Sequence, residues 1–253
     1  MLVLEDLNKY RFASLRHCVG AGEPLNPEVI EVWKRATGLV IRDGFGQTET
    51  VILCGNFRGI EPRYGSMGMP APGIDLQIID QHGEVLNNGE EGDIAVRVSP
   101  QRPLGLFQEY KGDPDRTAAA FRGDWYLTGD RGYADAEGYF WFVSRADDVI
   151  LSSGYRIGPF EVENALIEHP DVAESAVVSS PDETRGEVVK VFVVLVPGRE
   201  GSDDLIEELQ SHVKKMTAPY KYPRRIEFVN TLPKTVSGKI RRIDLRNKER
   251  VGP

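Results

Sequence analysis

The stretch Ile41-Arg42-Asp43-Gly44-Phe45-Gly46-Gln47-Thr48-Glu49-Thr50 decides the fold class, because a short apolar strand, Leu39 to Arg42, runs straight into a glycine-rich turn. The two glycines let backbone N–H groups approach an anion closely. Thr48 and Glu49 behind them offer a hydroxyl and a carboxylate suited to phosphate and Mg²⁺. A plain strand-to-helix turn capped by Thr48 is the simpler reading of these residues taken alone. The preceding residues repeat the pattern. Ser14 to Val19 forms an apolar strand running into Gly20-Ala21-Gly22-Glu23-Pro24, and a helix starts at Asn26-Pro27 with an Asn cap and proline at the first helical position. Val29, Ile30, Trp33 and Ala36 recur at helical spacing until Thr37-Gly38 ends the run. This alternation predicts a parallel sheet with ligand loops at its strand ends.

Further along, the texture changes twice. From about Gly65 to Phe142, short period-two segments (Ile74 to Asp80, Asp93 to Val98) and aromatic strands (Trp125 to Leu127, Tyr139 to Val143) alternate with glycine-rich turns, which predicts a β-subdomain. After Ser144 come a short helix from Pro159 to His169 and strands from Val172 to Ser179 and Val188 to Val196. A helix capped by Ser202 and a last strand from Arg225 to Val229 complete a small α+β domain. The division is expected at residues 1–146 and 147–253.

Composition excludes several classes. Forty per cent apolar and 28% charged residues describe a globular chain, not a disordered or fibrous one. The longest apolar run, Val191 to Val196, is far short of the roughly 20 residues that span a bilayer. Met1 to Asp6 lacks a basic segment and turns acidic at once, so no signal peptide is expected there. Cys18 and Cys54 form no CxxC pair and fit a reducing compartment as small core residues. Charge is uneven: Lys214 to Arg250 holds 12 Lys/Arg against 3 Asp/Glu, a net +9, while the first 213 residues hold 19 against 36, a net −17. A basic tail suggests nucleic acid, but no such motif is spelled there, and a phosphorylated small molecule explains it equally well.

Four other short runs carry chemistry. In Thr128-Gly129-Asp130 a carboxylate follows an aromatic strand and could accept from both hydroxyls of a ribose. Arg145-Ala146-Asp147-Asp148 sets a cation beside paired acids where two textures meet. Ser153-Gly154-Tyr155-Arg156-Ile157-Gly158 is another glycine-rich turn. Pro233 to Ile240 is a third, ending in Lys239, whose compact charge suits a phosphate or a developing oxyanion. Each alone has an ordinary structural reading as a cap, a surface ion pair or a solvated lysine.

In their order and spacing these runs resemble the adenylate-forming superfamily of acyl-CoA synthetases, luciferases and peptide-synthetase adenylation domains. The spelling is nearest the medium-chain acyl-CoA synthetases, through GAGEPLNPEV, DGFGQTET, YGSMGMPAPG, YLTGD, SRADDVILSSGYRIGPFEVE, APYKYPR and LPKTVSGKIRR. The resemblance implies a fold made of an α/β large-domain remnant with its β-subdomain, then a small mobile α+β C-terminal domain. It also implies roles. Phe45 stacks on adenine within a nucleotide-binding run of Asp43, Gly44, Phe45, Gly46, Gln47 and Thr48. Thr48 touches the α-phosphate, Glu49 helps hold Mg²⁺, and Gly22-Glu23-Pro24 lies beside adenine and the acyl pocket. Asp130 binds ribose, Arg145 reaches ribose or phosphate, Asp147 is the hinge, and Lys239 bridges carboxylate and α-phosphate during adenylation. For coenzyme A it assigns Ser153, Gly154 and Tyr155, with Arg156 beside them, to the pantetheine tunnel. Arg185, Lys214, Tyr222, Pro223 and Arg224 hold its nucleotide end.

Family members are about twice this long, and the Ser/Thr/Gly-rich loop that cradles the β- and γ-phosphates of ATP is not found here. The resemblance therefore implies the C-terminal half of an ATP-dependent acid–thiol ligase, inactive alone, with ATP/AMP, Mg²⁺, CoA and a carboxylic acid as its small-molecule partners. Surface meant for the missing half is expected to favour association. The alternative is a non-catalytic nucleotide- or CoA-binding remnant that docks on a partner half. A peptide-synthetase piece is disfavoured by Ser152 to Arg156. No histidine among His17, His82, His169 and His212 sits where a general base is needed. The expected compartment is the cytoplasm, or the mitochondrial matrix if a targeting segment precedes Met1.

Overall fold

The computed structural model describes residues 7–236 and 238–251, so Met1 to Asp6 and Ser237 of the lysine-bearing turn lie outside the described residues. The chain divides into two units, residues 1–142 and 143–253.

The first unit opens as the alternation predicts. Strand β1 (Cys18–Ala21) pairs in parallel with β2 (Ile41–Gln47), Cys18 opposite Ile41 and Ala21 opposite Gly44, and helix α1 (Pro27–Thr37) makes the crossover. The Asn26 side chain accepts from the Glu28 amide at 2.7 Å, Pro27 loses no needed donor at the first position, and Gly38 ends the helix at φ 74°. The glycine-rich residues are not a loop, however. Asp43 to Gln47 belong to β2, which folds back antiparallel on β3 (Val51–Gly55), and β4 (Met69–Pro70) completes the sheet. No helix follows Thr48, so neither the anion loop nor the capped strand-to-helix turn describes this run. A hairpin does.

The second sheet of this unit contains β5 (Leu76–Ile79), β6 (Gly92–Arg97), β7 (Phe121–Arg122), β8 (Trp125–Ala134) and β9 (Phe140–Arg145), with helix α2 (Pro114–Ala119) before β7. Leu53 and Cys54 from β3 pack with Leu76, Ile78, Ile94, Val96, Tyr126 and Phe140, so one core joins the two sheets. Cys54 is fully buried there, as a small core residue should be, whereas Cys18 is only half-buried and joins no core cluster among the described residues; both are free thiols.

The second unit is a five-stranded sheet with helices on both faces. It comprises β10 (Ile150–Ser152), β11 (Tyr155–Ile157), helix α3 (Pro159–Ile167), β12 (Val172–Asp182), β13 (Gly186–Leu195), helix α4 (Asp203–Met216), β14 (Arg225–Phe228) and helix α5 (Arg242–Val251). Val177, Val189, Val191 and Val193 point to α3 and α4, while Ala176, Val178 and Phe192 point to Leu245 of α5. A strand buried on both faces reads as a continuous apolar run, which is why Val191 to Val196 shows no alternation. On α4 the Ser202 hydroxyl accepts from the Leu205 amide, and Leu205, Leu209 and Val213 form the buried stripe at four-residue spacing.

Helix α5 was not foreseen from the sequence. Among the described side chains of this helix only Leu245 joins a core cluster, and charged side chains hold the rest. Arg242 pairs with Glu163 at 2.7 Å, Glu249 with Lys190 at 3.1 Å, and Arg246 with Asp148. Much of the basic tail is thereby matched inside its own unit, since Lys221, Arg225, Lys234 and Lys248 also meet Glu161, Asp182, Glu174 and Glu227. Those partners lie on the same unit, so the charge asymmetry reflects sequence order more than a basic surface.

Because the second unit has its own two-faced core, residues 143–253 produced alone are expected to unfold cooperatively. Leu209→Ala, at a fully buried site, should lower their stability by about 2–5 kcal/mol in urea titrations. A non-cooperative transition in the unsubstituted piece would show that its core depends on residues outside it.

Candidate active site

The hairpin of β2 and β3 explains each residue of the quoted stretch. A Cβ on Gly46 would lie 1.8 Å from the Val51 carbonyl oxygen, and one on Gly44 would press the Ile52 side chain at 3.1 Å. These glycines therefore admit the backbone of β3, a steric need that the sequence reading did not foresee. The turn is locked by Thr50, which is buried and accepts from the Gln47 amide at 3.0 Å. Thr50, not Thr48, serves as the turn's hydroxyl, and Thr48 stays exposed. Val51 adopts φ 62°, a left-handed conformation unusual for a β-branched residue. Phe45 is half-buried and packs against the shared core.

Gln47 is the junction. Its amide nitrogen donates to the Thr128 carbonyl at 2.7 Å and to an Asp130 carboxylate oxygen at 2.8 Å, and its oxygen accepts from the Tyr126 hydroxyl at 3.0 Å. Thr128 to Asp130 lie within β8 rather than after a strand. Between the pairs Ala95–Leu127 and Asp93–Arg131 the register slips, so three residues of β8 stand opposite Ile94. The Thr128 hydroxyl donates to the Ile94 carbonyl at 2.8 Å, and Gly129 takes φ 72° to complete the bulge. The bulge aims Asp130, which is 4% exposed, at Gln47. Two runs more than 80 residues apart thus meet on one side-chain amide.

On the far side of the turn, Glu49 accepts from the Tyr110 hydroxyl at 2.9 Å through one carboxylate oxygen, and the Arg116 guanidinium lies 3.8 Å from the Tyr110 ring centre. Burial and the neighbouring Glu49 carboxylate raise the Tyr110 pKa, keeping it a neutral donor. The second Glu49 oxygen makes no hydrogen bond among the described residues, which fits a single carboxylate ligand to Mg²⁺ completed by phosphate and water. No cluster of three metal-ligating side chains occurs among the described residues.

Asp43 holds the neighbouring loop. Its carboxylate accepts from the Leu25 amide at 3.2 Å and the Gly44 amide at 2.9 Å, which ties the segment following Gly22, Glu23 and Pro24 to β2. Burial is the larger influence and pushes the carboxyl up from 3.8 to about 6, with the two amides opposing it. A separate cavity of about 240 Å³, lined by Arg16, His17, Arg42 and Arg58 among others, lies at the amino ends of β1 and β2 and contains none of these residues.

In the second unit, Ser153 (φ 50°) and Gly154 (φ 82°) form the two-residue turn between β10 and β11, where both positions require the left-handed region. Arg185 donates to the Ser153 hydroxyl at 3.0 Å, Arg156 is exposed, and Tyr155 stacks on Tyr220 with ring centres 4.2 Å apart. The Lys214 ammonium and Arg224 guanidinium flank the Tyr222 ring at 4.0 and 4.8 Å, and Pro223 beside it is buried. The Tyr155–Tyr220 stack connects these two groups of expected coenzyme-A residues. Lys239 is exposed on a turn closed by the Thr235 amide donating to its carbonyl at 2.8 Å and by Gly238 at φ 88°. Arg145 and Asp147 are exposed, with 3.6 Å between Arg145 Nε and the Asp147 carboxylate. His169 and His212 serve packing: His212 Nε2 contacts the Ala165 carbonyl at 2.8 Å, and His169 is buried beside it. Tyr110, Tyr126, Arg116 and Tyr220 were missed by sequence reasoning, since isolated tyrosines and a lone arginine carry no spacing signal.

A parallel β-α-β start, a bulged strand that delivers an aspartate to the hairpin, and a small unit with glycine and lysine turns accord with the adenylate-forming family that the sequence resembles. The chain belongs to that family: the AMP-binding enzyme family matches residues 1–110, and the AMP-binding enzyme C-terminal domain matches residues 161–239. Among relatives, it is 62% identical over 251 residues to mouse (Mus musculus) acyl-coenzyme A synthetase ACSM3, mitochondrial, covering 98% of this chain and 43% of that protein. It is 60% identical to human (Homo sapiens) acyl-coenzyme A synthetase ACSM4, mitochondrial, with the same coverage. Its fold matches the crystal structure of the anthranilate CoA ligase AuaEII in complex with anthranoyl-AMP, with TM-score 0.89 and 38% identity over 98% of this chain and 47% of that one. It also matches a benzoate CoA ligase from Burkholderia xenovorans LB400, with TM-score 0.81 and 36% identity over 92% of this chain and 46% of that one. The chain thus spans less than half the length of these relatives. No helix among the described residues is long and apolar enough to cross a membrane.

The raised Asp43 pKa has a defined sign. A carboxyl whose folded value lies above its unfolded value stabilises the fold below about pH 4, and that contribution is lost as pH rises through about 6. At neutral pH the loss is about 3 kcal/mol. In Asp43→Asn the stability of the first unit, followed by urea titration at several pH values, should lose its decline between pH 4 and 6. An unchanged slope would mean that Asp43 titrates normally.

Proposed function

We propose that these residues serve an ATP-dependent acyl-CoA synthetase, which joins a carboxylic acid to coenzyme A with release of AMP and pyrophosphate. The observation that carries this reading is the Gln47 amide, which brings the stretch assigned to adenine and α-phosphate onto the aspartate assigned to ribose. A nucleoside monophosphate needs those three recognitions together.

In the first half-reaction a carboxylate oxygen bonds to the α-phosphorus and the bond to pyrophosphate breaks, giving acyl-adenylate. Phe45 would offer a face to adenine, Asp130 would accept from the ribose hydroxyls, and Thr48 would donate to the α-phosphate. Glu49, oriented by Tyr110, would hold Mg²⁺, which supplies charge neutralisation at the phosphates when bound. Lys239 would bridge the acyl carboxylate and the α-phosphate. In the second half-reaction the CoA thiol sulfur bonds to the acyl carbon, the bond to AMP breaks, and the thiol proton is lost. Ser153, Gly154 and Tyr155 would line the pantetheine path, while Arg185, Lys214, Tyr222, Pro223 and Arg224 would meet the nucleotide end. Arg145 would reach ribose or phosphate, and Asp147 would be the pivot between the two states. Catalysis then rests on positioning and charge neutralisation rather than on a protein nucleophile. The relatives named mitochondrial support a mitochondrial compartment over the cytoplasm.

In the full-length enzyme, Lys239→Ala should abolish pyrophosphate exchange yet spare thioester formation from preformed acyl-adenylate. Equal loss of both half-reactions would contradict its role. Phe45→Ala should weaken AMP binding by about 1–3 kcal/mol in calorimetry of the 253-residue chain, the range of base–aromatic stacking. Unaltered affinity in a folded variant would reduce Phe45 to a packing residue.

A further inference from the structure

Four groups meet where the second unit begins. The turn at residues 146–148 is closed by the Asp148 amide donating to the Arg145 carbonyl at 3.1 Å. From α5, nearly 100 residues later, Arg246 reaches into this turn. Its Nη1 donates to the Asp147 carbonyl at 2.8 Å and to the Asp148 carboxylate. Arg246 and Asp148 are almost buried, with side chains 11% and 12% exposed, whereas the Asp147 side chain is 70% exposed. The backbone of Asp147 is therefore gripped on its carbonyl side while its side chain stays in solvent.

Anchoring the helix does not by itself account for this contact. Helix α5 is already fixed by Leu245 in the core, by the Arg242–Glu163 pair, and by Glu249 bonded to Lys190 and to the Ser180 hydroxyl at 2.7 Å. Arg246 instead acts on a peptide plane. The Asp147 carbonyl belongs to the rigid unit joining Asp147 to Asp148, so holding that oxygen fixes ψ of Asp147 and φ of Asp148 together. The torsions on the amino side, between Arg145 and the Asp147 Cα, are restrained by the turn's own backbone bond from the Asp148 amide to the Arg145 carbonyl.

We propose that Arg246 is a positioning residue for the hinge, clamping the backbone just after the pivot so that rotation is confined to the torsions just before it. This rests on the reading of Asp147 as the hinge. A pivot with few soft torsions moves between two defined positions, whereas a loose one swivels through many and populates each productive state less. Arg246 touches no substrate in this role. It would set how faithfully the small unit returns to the geometry of the second half-reaction.

The test compares two arginines on one helix. In the 253-residue chain, Arg246→Met should speed hydrogen exchange of the Asp148 amide by about tenfold or more while the β12 and β13 amides stay unchanged. Arg242→Met, which breaks another ion pair of α5, to Glu163 on α3, and leaves the Arg246 bonds to the turn in place, should leave that amide slow. Equal acceleration by both variants, or none from Arg246→Met, would overturn the clamp and leave only helix anchoring. Should the unpaired Asp148 unfold Arg246→Met, the double variant Arg246→Met with Asp148→Asn removes the buried charge and is read the same way. In the full-length enzyme, Arg246→Met should leave pyrophosphate exchange within about twofold and slow thioester formation at saturating CoA by about tenfold, with Arg246→Lys intermediate. A faster-exchanging turn with an unchanged ratio of half-reactions would also overturn the positioning role. That result would place the fault in the hinge reading and not in the contact.

Discussion

One primary amide organises the first unit. Gln47 presents a donor pair to the Thr128 carbonyl and the Asp130 carboxylate and an acceptor to Tyr126, so its three bonds fix the hairpin turn against the bulged strand β8. Replacing either strand's local geometry would break the same three bonds. The bulge opposite Ile94 is needed to aim Asp130, and the close approach of β3 to Gly46 is needed to place Gln47. A buried polar network of this kind specifies a single arrangement because a half-satisfied version is costly.

The second unit is held differently. Its sheet carries apolar side chains to both faces, but the covering elements are unequal: α3 and α4 supply leucine and valine stripes, while α5 supplies one buried leucine and a row of ion pairs. Buried ion pairs add little net stability compared with apolar packing, yet removing one partner is expensive. Such contacts suit a helix whose place must be exact. Burial raises the Glu163 carboxyl against the pull of Arg242, a sign that the pair lies deep.

The glycines of the chain show why local signals mislead about purpose. Gly44 and Gly46 were read for close approach to an anion and are needed for close approach of a neighbouring strand, whereas Gly129 and Gly154 supply positive φ at a bulge and a tight turn. A glycine states only that a Cβ is intolerable or a torsion unusual. Which of these applies depends on what the fold brings alongside.

By itself the sequence determined many of the elements and their order. Asn26-Pro27 and Ser202 announce helix starts, Gly38 a helix end, and the period-two runs at residues 74–80 and 93–98 the strands found at 76–79 and 92–97, because caps and periodicity operate within four residues. The spelling of the short runs also fixed the family, since their order survives without knowledge of contacts. Only the tertiary structure decided which of those residues meet. The bond from Gln47 to Asp130 spans 83 positions and depends on a register slip that no local pattern encodes. Helix α5 was hidden for the same reason: its partners Glu163, Lys190 and Asp148 lie on distant elements, and a charged helix earns its place only when they are gathered round it. Short-range preferences are written residue by residue, but long-range hydrogen bonds and ion pairs exist only after the strands have chosen their register.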